Sequence, residues 1–145
     1  MRGSALMRVL LASITCEKGD IDTNLARHCE ALVEARDSGC DLAVFPEFSL
    51  TGSVDPVQHP ERAIPLDDAA IVRLATAAHR LSVGALFGFA EVCNREFFIT
   101  QAYALGGALV GVQRKRHLGD EVPVVYHHVP GLPKASRAIV RPWLF

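Results

Sequence analysis

The chain has 145 residues, of which 50% are hydrophobic and 21% are charged, so it is long enough for one domain with a core and is not a disordered polypeptide. Its 15 basic and 16 acidic residues leave a net charge of -1, which argues against nucleic acid and against an anionic membrane surface as partners. No stretch approaches the length of a transmembrane helix.

The amino-terminal third predicts a strand, a helix and a second strand. Residues 8–16 are mostly apolar and predict the first strand, although 1–16 also resemble a short signal peptide whose Cys16 would be lipid-modified. Arg8 interrupts that apolar run, so the strand is favoured. A helix then follows, with Asp20 or Asp22 as its cap and Gly39 at its end.

Residues 42–46 are a short apolar run and predict a strand buried on both faces, which Pro46 ends because it has no N–H to donate. A strand-helix-strand unit of this kind favours right-handed parallel pairing. A loop is predicted over 49–65, where glycine and prolines recur, and Asp67 is the expected cap of a second helix.

Three further strands are predicted in the second half. They cover 83–89, 97–105 and 108–114, and a Gly106-Gly107 turn makes the last two antiparallel. The helix before them carries its apolar residues at a spacing typical of core packing: Ile71, Leu74, Ala75, Ala78 and Leu81.

Two charged residues follow predicted strands, where open α/β sheets place their ligands. Glu47 comes directly after the second strand, and apolar surroundings there would suit a general base. Lys115 follows the fifth strand, where an ammonium group would stabilise a developing negative charge. The alternatives are a solvated carboxylate at a strand end and a solvated basic patch.

Three segments together resemble the carbon-nitrogen hydrolase (nitrilase) superfamily. They are DLAVFPEFSLTG at 41–52, GFAE at 88–91 and RKRHLGDE at 114–121, and their order and spacing agree over 7–121. The resemblance implies an α/β fold, here an incomplete αββα four-layer sandwich that has a mixed sheet with helices on one face. It also implies a hydrolase of non-peptide amide or nitrile bonds that needs no cofactor or metal.

The same resemblance implies a Glu-Lys-Cys mechanism that passes through a thioester. Glu47 matches the general base, Lys115 the residue that stabilises the oxyanion, and Glu121 the second glutamate of the family. The cysteine nucleophile of the family lies after the lysine, and no cysteine follows Cys93 in this sequence. Cys93 itself is expected in a loop between strands, so no position matches the nucleophile.

Residues 1–121 are therefore predicted to be the amino-terminal part of such a domain, and 122–145 a divergent proline-rich tail. A premature stop or a frameshift in an ancestral hydrolase is the expected origin. The cysteines form no Cys-x-x-Cys pair, which argues against a zinc or redox motif. Their mostly apolar settings suit a reducing compartment, so we expect a cytoplasmic protein. The incomplete sheet would expose an apolar face, so self-association is also expected.

Other interpretations remain open. The chain is either a hydrolase by descent or a non-catalytic binding or regulatory remnant of the fold, and a fragment without function is the third possibility. A metal site would require one group of side chains to gather around a divalent ion: His117, Asp120, His127 and His128.

Overall fold

A computed structural model describes residues 6–116 and residue 118. In this part of the chain two α-helices pack on one face of a mixed five-stranded sheet of order β1-β2-β3-β4-β5, which confirms the predicted α/β class. The helices are α1 (Ile21–Asp37) and α2 (Ala69–Arg80), and a short 3₁₀ helix spans Pro60–Arg62. The strands are β1 (Val9–Leu11), β2 (Leu42–Val44), β3 (Gly84–Cys93), β4 (Glu96–Leu105) and β5 (Ala108–Arg114).

The first three strands are parallel, as the strand-helix-strand pattern predicted for β1 and β2. β1 pairs with β2, and β2 pairs with β3, both in parallel register. Of the two predicted caps of α1, Asp20 is the one used, because its Oδ1 accepts a hydrogen bond from the Thr23 N–H at 3.1 Å. Gly39 follows the helix with a φ of 66°, the left-handed conformation that ends helices.

The last three strands pair antiparallel, β3 with β4 and β4 with β5. Several of the boundaries predicted in this half of the chain were wrong. β3 continues to Cys93 instead of stopping at 89, because the β3–β4 hairpin stays paired as far as Cys93 and Glu96. Cys93 is therefore a strand residue and not a loop residue. The cap of α2 is Asp68 and not Asp67, since Asp68 Oδ1 accepts from the Ala70 N–H at 2.8 Å.

The core lies between the helices and the sheet. Fully buried side chains from both layers form it, chiefly Leu32, Ile71, Leu74, Phe87 and Phe89. Burial of each large side chain contributes about 2 kcal/mol, so this face accounts for most of the apolar stabilisation in the described residues. The stripe predicted for α2 is confirmed as core, with Leu81 partly buried at its carboxyl end.

The opposite face of the sheet, called the open face below, is only partly covered. Cross-strand neighbours in β1, β2, β3 and β4 form one apolar row on it: Leu11, Val44, Leu86 and Tyr103. Leu11 is 78% exposed, and its neighbours in the row are partly exposed. The expectation that β2 is buried on both faces was therefore wrong, because the described residues cover it with helices on one face alone.

Candidate active site

Residues 46–52, called the elbow below, form a tight turn that carries Glu47 away from β2. The elbow closes through hydrogen bonds from the Ser49 N–H to the Pro46 carbonyl at 3.1 Å and from the Gly52 N–H to the Phe48 carbonyl at 2.7 Å. Phe48 has a φ of 58°, an uncommon conformation for a residue with a side chain. The turn therefore places Glu47 at one defined point beyond the end of β2.

β2 ends at Val44, so the second half of β3 has no β2 residues beside it. Hydroxyl groups of the elbow form hydrogen bonds with β3 there instead. Ser49 Oγ accepts from the Gly88 N–H at 3.2 Å, and Thr51 Oγ1 accepts from the Ala90 N–H at 2.9 Å. The Leu50 N–H also donates to the Gly88 carbonyl at 2.9 Å. These bonds satisfy buried backbone groups of β3, and they hold the elbow against the middle of the sheet.

Gly88 is required under the elbow because no side chain fits there. A Cβ atom on Gly88 would lie 2.7 Å from the Phe48 nitrogen and 3.0 Å from the Glu47 Cα. Both are backbone atoms, so neither could move without displacing the elbow. The close approach places Glu47 over the open face of β3.

Two buried polar side chains of α1 support the elbow from the helix side. The Asn24 side-chain amide donates to the carbonyls of Glu17 and Leu50, at 2.8 and 3.0 Å. His28 Nδ1 lies 2.7 Å from the Asn24 carbonyl, so that nitrogen carries the proton and donates. His28 Nε2 is then left to accept the Ser49 hydroxyl proton over 3.0 Å.

His28 is buried as a neutral imidazole, and this makes stability depend on pH. Burial lowers the pKa of His28 from 6.5 to about 4, so unfolded chains bind a proton more readily than folded ones. The stabilisation is complete above pH 6.5 and is lost as the pH falls from 6.5 towards 4. Between pH 7.5 and pH 5 we expect His28 alone to remove about 2 kcal/mol from the free energy of unfolding.

Urea unfolding of the wild-type chain and of His28→Gln at both pH values measures this effect. The His28→Gln chain should lose less stability between the two pH values, by the same amount. The His59→Gln variant is the matched control, because His59 is a surface residue beside Glu61. Equal losses in the wild-type and His28→Gln chains would contradict the prediction.

The structure brings Glu47 and Lys115 together. Lys115 Nζ lies 2.9 Å from Glu47 Oε1, although the two residues are 68 positions apart in the chain. The side chain of Glu47 is 49% exposed and that of Lys115 is 37% exposed. We expected apolar surroundings for Glu47, and this prediction was wrong for the described part of the chain. The Glu47 carboxylate is open to solvent on one side there.

Lys115 reaches this position because β5 ends beside it. Its backbone N–H donates to the Ile99 carbonyl at 2.8 Å, which continues the pairing with β4 for one residue beyond β5. The preceding residue, Arg114, forms a two-point ion pair with the buried Glu91 on the helix-covered face. Its hydrogen bonds to Glu91, and a further one to Cys93, hold the pKa of Arg114 above its usual range.

All four cysteines are free and partly buried, and none lies beside the Glu47–Lys115 pair. Cys93 contacts Arg114 on the helix-covered face, which is opposite to the face that carries the Glu47–Lys115 pair. Cys29 lies on α1, where burial raises the pKa of its thiol, and Cys40 packs against the core at the end of that helix. Burial also raises the pKa of the Cys16 thiol.

The remaining predicted site residues fall outside the described part of the chain. Glu121 is one of them, and so are the four residues of the metal hypothesis: His117, Asp120, His127 and His128. Within the described residues, no three side chains of His, Cys, Asp or Glu gather as metal ligands would. No helix of this part is long and apolar enough to cross a membrane.

Sequence reasoning missed the polar residues that support the site. Asn24 and His28 are four positions apart and so lie on the same face of α1, among buried apolar residues. Polar residues on an apolar helix face were a usable signal. Glu91 lies in the GFAE segment at 88–91, but its partner Arg114 could not be identified before the register of three strands was known.

Comparison with known proteins gives consistent results. The family model described as "Carbon-nitrogen hydrolase" matches residues 10–141. An (R)-stereoselective amidase from Pseudomonas sp. is 30% identical over 112 residues, which is 77% of this chain and 40% of that protein. A glutamine-dependent NAD(+) synthetase from Thermotoga maritima is 31% identical over 116 residues, which is 75% of this chain and 19% of that protein.

Solved structures of an amidase from Nesterenkonia sp. have the same fold. One superimposes with a TM-score of 0.73 at 26% identity and covers 88% of this chain and 51% of that one. Another gives a TM-score of 0.72 at 25% identity over 88% of this chain and 49% of that one. The chain thus spans at most about half the length of the relatives it matches, and the predicted division at residue 121 stays a prediction.

Proposed function

The chain belongs to the carbon-nitrogen hydrolase family, and from that membership we propose that it carries the base and the ammonium group of an amide-hydrolysing site. The observation that carries the proposal is the 2.9 Å contact between Glu47 Oε1 and Lys115 Nζ. Two residues so distant in sequence meet on the open face, Glu47 in the elbow that follows β2 and Lys115 directly after β5. The positions are those at which the family resemblance expects the base and the oxyanion-stabilising lysine.

In this proposal Glu47 is the general base and Lys115 is the electrophilic group. Glu47 removes the proton of a thiol, the resulting thiolate attacks the amide carbon, and the Lys115 ammonium stabilises the negative oxygen that forms. The amine or ammonia leaves with the proton from Glu47, and a thioester remains. Water, deprotonated by Glu47, then releases the acid and restores the thiol. Glu121 is proposed as the second glutamate, which positions the base and the substrate.

The thiol must come from outside the four cysteines of this sequence. Cys93 contacts Arg114 on the opposite face of the sheet, and the other three cysteines precede the elbow. We therefore propose that another polypeptide segment, of the same gene product or of a partner, brings the nucleophile to the open face. The apolar row beside Glu47 supports this, because a covering layer would also exclude water from the site.

A small-molecule amide is the proposed substrate, and a nitrile is the alternative within the family. The relatives named above are an amidase and a glutamine-dependent synthetase, which suits carboxamide chemistry. We also propose a cytoplasmic location, supported by four free cysteines. Where no covering segment occupies the exposed apolar row, we propose self-association through it.

The second candidate is a non-catalytic binding module. The observation that favours it is that Cys93 is on the wrong face to attack a substrate held by Glu47 and Lys115. Such a module would retain the elbow and bind an amide without turnover.

The test is ammonia release by the native gene product. It would be captured from its source cell with an antibody against this chain, weighed by intact mass spectrometry and incubated with a panel of small amides and nitriles. The printed chain weighs 15.7 kDa, so a species of that mass would indicate truncation, and a heavier one would indicate a longer protein that includes the chain. Ammonia release supports the hydrolase, whereas binding without release supports the module.

The Cys93→Ala variant completes that test. Because Cys93 faces away from the pair, we expect ammonia release per protein molecule to stay within about twofold of the wild-type value. Loss of activity in Cys93→Ala, with the fold intact, would make Cys93 the nucleophile and would contradict the proposed site.

A further inference from the structure

A buried ion pair lies directly beneath the Lys115 side of the site. Glu91 is on β3 and its side chain is 1% exposed, in a face that is otherwise mostly apolar. Its Oε2 accepts from Thr100 Oγ1 at 2.6 Å and from Arg114 Nε at 2.9 Å, while its Oε1 accepts from Arg114 Nη2 at 2.5 Å. The Arg114 guanidinium also lies 3.9 Å from the centre of the Phe98 ring.

These contacts fix Arg114 on one face of the sheet, and Lys115 leaves on the other. Consecutive residues of an extended chain point to opposite faces. The Arg114 side chain is held on the helix-covered face, so the next side chain projects over the open face towards Glu47. The direction of Lys115 thus depends on the anchoring of the residue before it.

The end of β5 needs such an anchor. Among the described residues β5 is an edge strand whose sole strand neighbour is β4, and its last paired residue is Arg114, opposite Thr100. Strand ends at a sheet edge open more readily than central strands. An opening of one residue would carry Lys115 out of contact with Glu47.

We propose that Glu91 and Arg114 are a positioning pair that holds Lys115 in register with Glu47. Three strands take part, because Glu91 is on β3, Thr100 on β4 and Arg114 on β5. A buried ion pair is a costly way to stabilise a fold, since apolar residues of similar size often do as well, so a role in fixing geometry accounts for its presence here. The inference deepens the proposed function and rests on the roles given there to Glu47 and Lys115.

Carbodiimide cross-linking of the full 145-residue chain tests the inference. The reagent activates a carboxylate, and a lysine amine in contact with it forms an amide, with the net loss of one water. A peptide joined through Glu47 and Lys115 is diagnostic because the two are 68 positions apart. Its rate of formation is compared between the wild-type chain and the double variant Glu91→Leu plus Arg114→Met, with cross-links from the exposed Lys18 as internal reference.

The double variant separates positioning from stability. Its apolar pair can pack in place of the ions, so stability is retained while the two-point bond that directs β5 is lost. We expect the Glu47–Lys115 cross-link to form about tenfold more slowly, because amide formation requires the reacting atoms to stay within about 3.5 Å. Thr100→Val removes one hydrogen bond to Glu91 and leaves both ions in place. We expect it to slow the Glu47–Lys115 cross-link less than the double variant does, and it provides the test if the double variant does not fold.

The outcomes are distinct. An unchanged cross-linking rate in folded variants would overturn the positioning role and leave the proposed function standing. Absence of the cross-link in the wild-type chain would instead remove the contact that carries the proposed function. If the Lys18 reference cross-links slowed equally, the variant would have lost structure in general. If this held for both variants, the role of the Glu91–Arg114 pair would be to stabilise the fold, and the inference would fail.

Discussion

Under the proposed function, replacing Lys115 by methionine is expected to lower kcat/KM for hydrolysis of a small amide by the native gene product about 10²–10³-fold. In the proposed function the Lys115 ammonium group stabilises the tetrahedral oxyanion, and removal of one such group costs about that factor in other hydrolases. The fold should be unaffected, because the Lys115 side chain is 37% exposed and packs in no core cluster. Initial rates of ammonia release over a range of substrate concentrations measure the effect.

Glu47→Gln is the companion variant, with an expected loss of about 10²–10⁴-fold, because glutamine cannot accept the thiol proton. Two exposed residues provide controls of the same chemistry, Lys18→Met and Glu61→Gln, and neither should change kcat/KM by more than about twofold. Wild-type rates in both Lys115→Met and Glu47→Gln would show that the reaction takes place elsewhere in the molecule.

Replacing Arg114 by methionine is expected to lower the free energy of unfolding of the chain by about 3–5 kcal/mol. Glu91 would keep a carboxylate that is 1% exposed, and the polar contact left to it among residues 6–116 would be the Thr100 hydroxyl. Removal of one partner of a buried pair costs that much because the other charge is left uncompensated. Urea unfolding followed by circular dichroism at pH 7.5 gives the value.

Arg73→Met is the matched control, since Arg73 pairs with Asp22 on the surface, and its loss should cost less than about 1 kcal/mol. Adding Glu91→Leu to Arg114→Met should recover most of the lost stability, because no buried charge then remains. If the double variant were as unstable as the sum of the two single variants, the ion pair would not be the cause.

Much of the fold could be predicted because the relevant signals are local. The helical spacing of apolar residues in α1 and α2, a cap at Asp20 or Asp22 and the Gly106-Gly107 turn each follow from a few neighbouring residues. β5 was predicted with its observed bounds because turn glycines and the basic run delimit it. Boundaries were wrong where pairing with another strand decides them, as at the end of β3.

The site divides in the same way. Glu47 and Lys115 could be proposed from the sequence because each comes shortly after a strand in a recognisable segment, and the structure places the two side chains in contact. The structure alone showed that Gly88 is small because the elbow crosses it, and that Ser49 and Thr51 replace a missing strand. Those roles depend on which backbone atoms approach each other.

The sequence by itself determined the family, the class of fold and the two charged residues proposed for the site. Each of these is encoded in a short segment, where spacing and residue type are sufficient. The tertiary structure alone decided which face carries the Glu47–Lys115 pair, that Cys93 lies on the other face, and that Arg114 is held by Glu91. These depend on the register between strands far apart in the chain, because a shift of one residue reverses the face to which every side chain points.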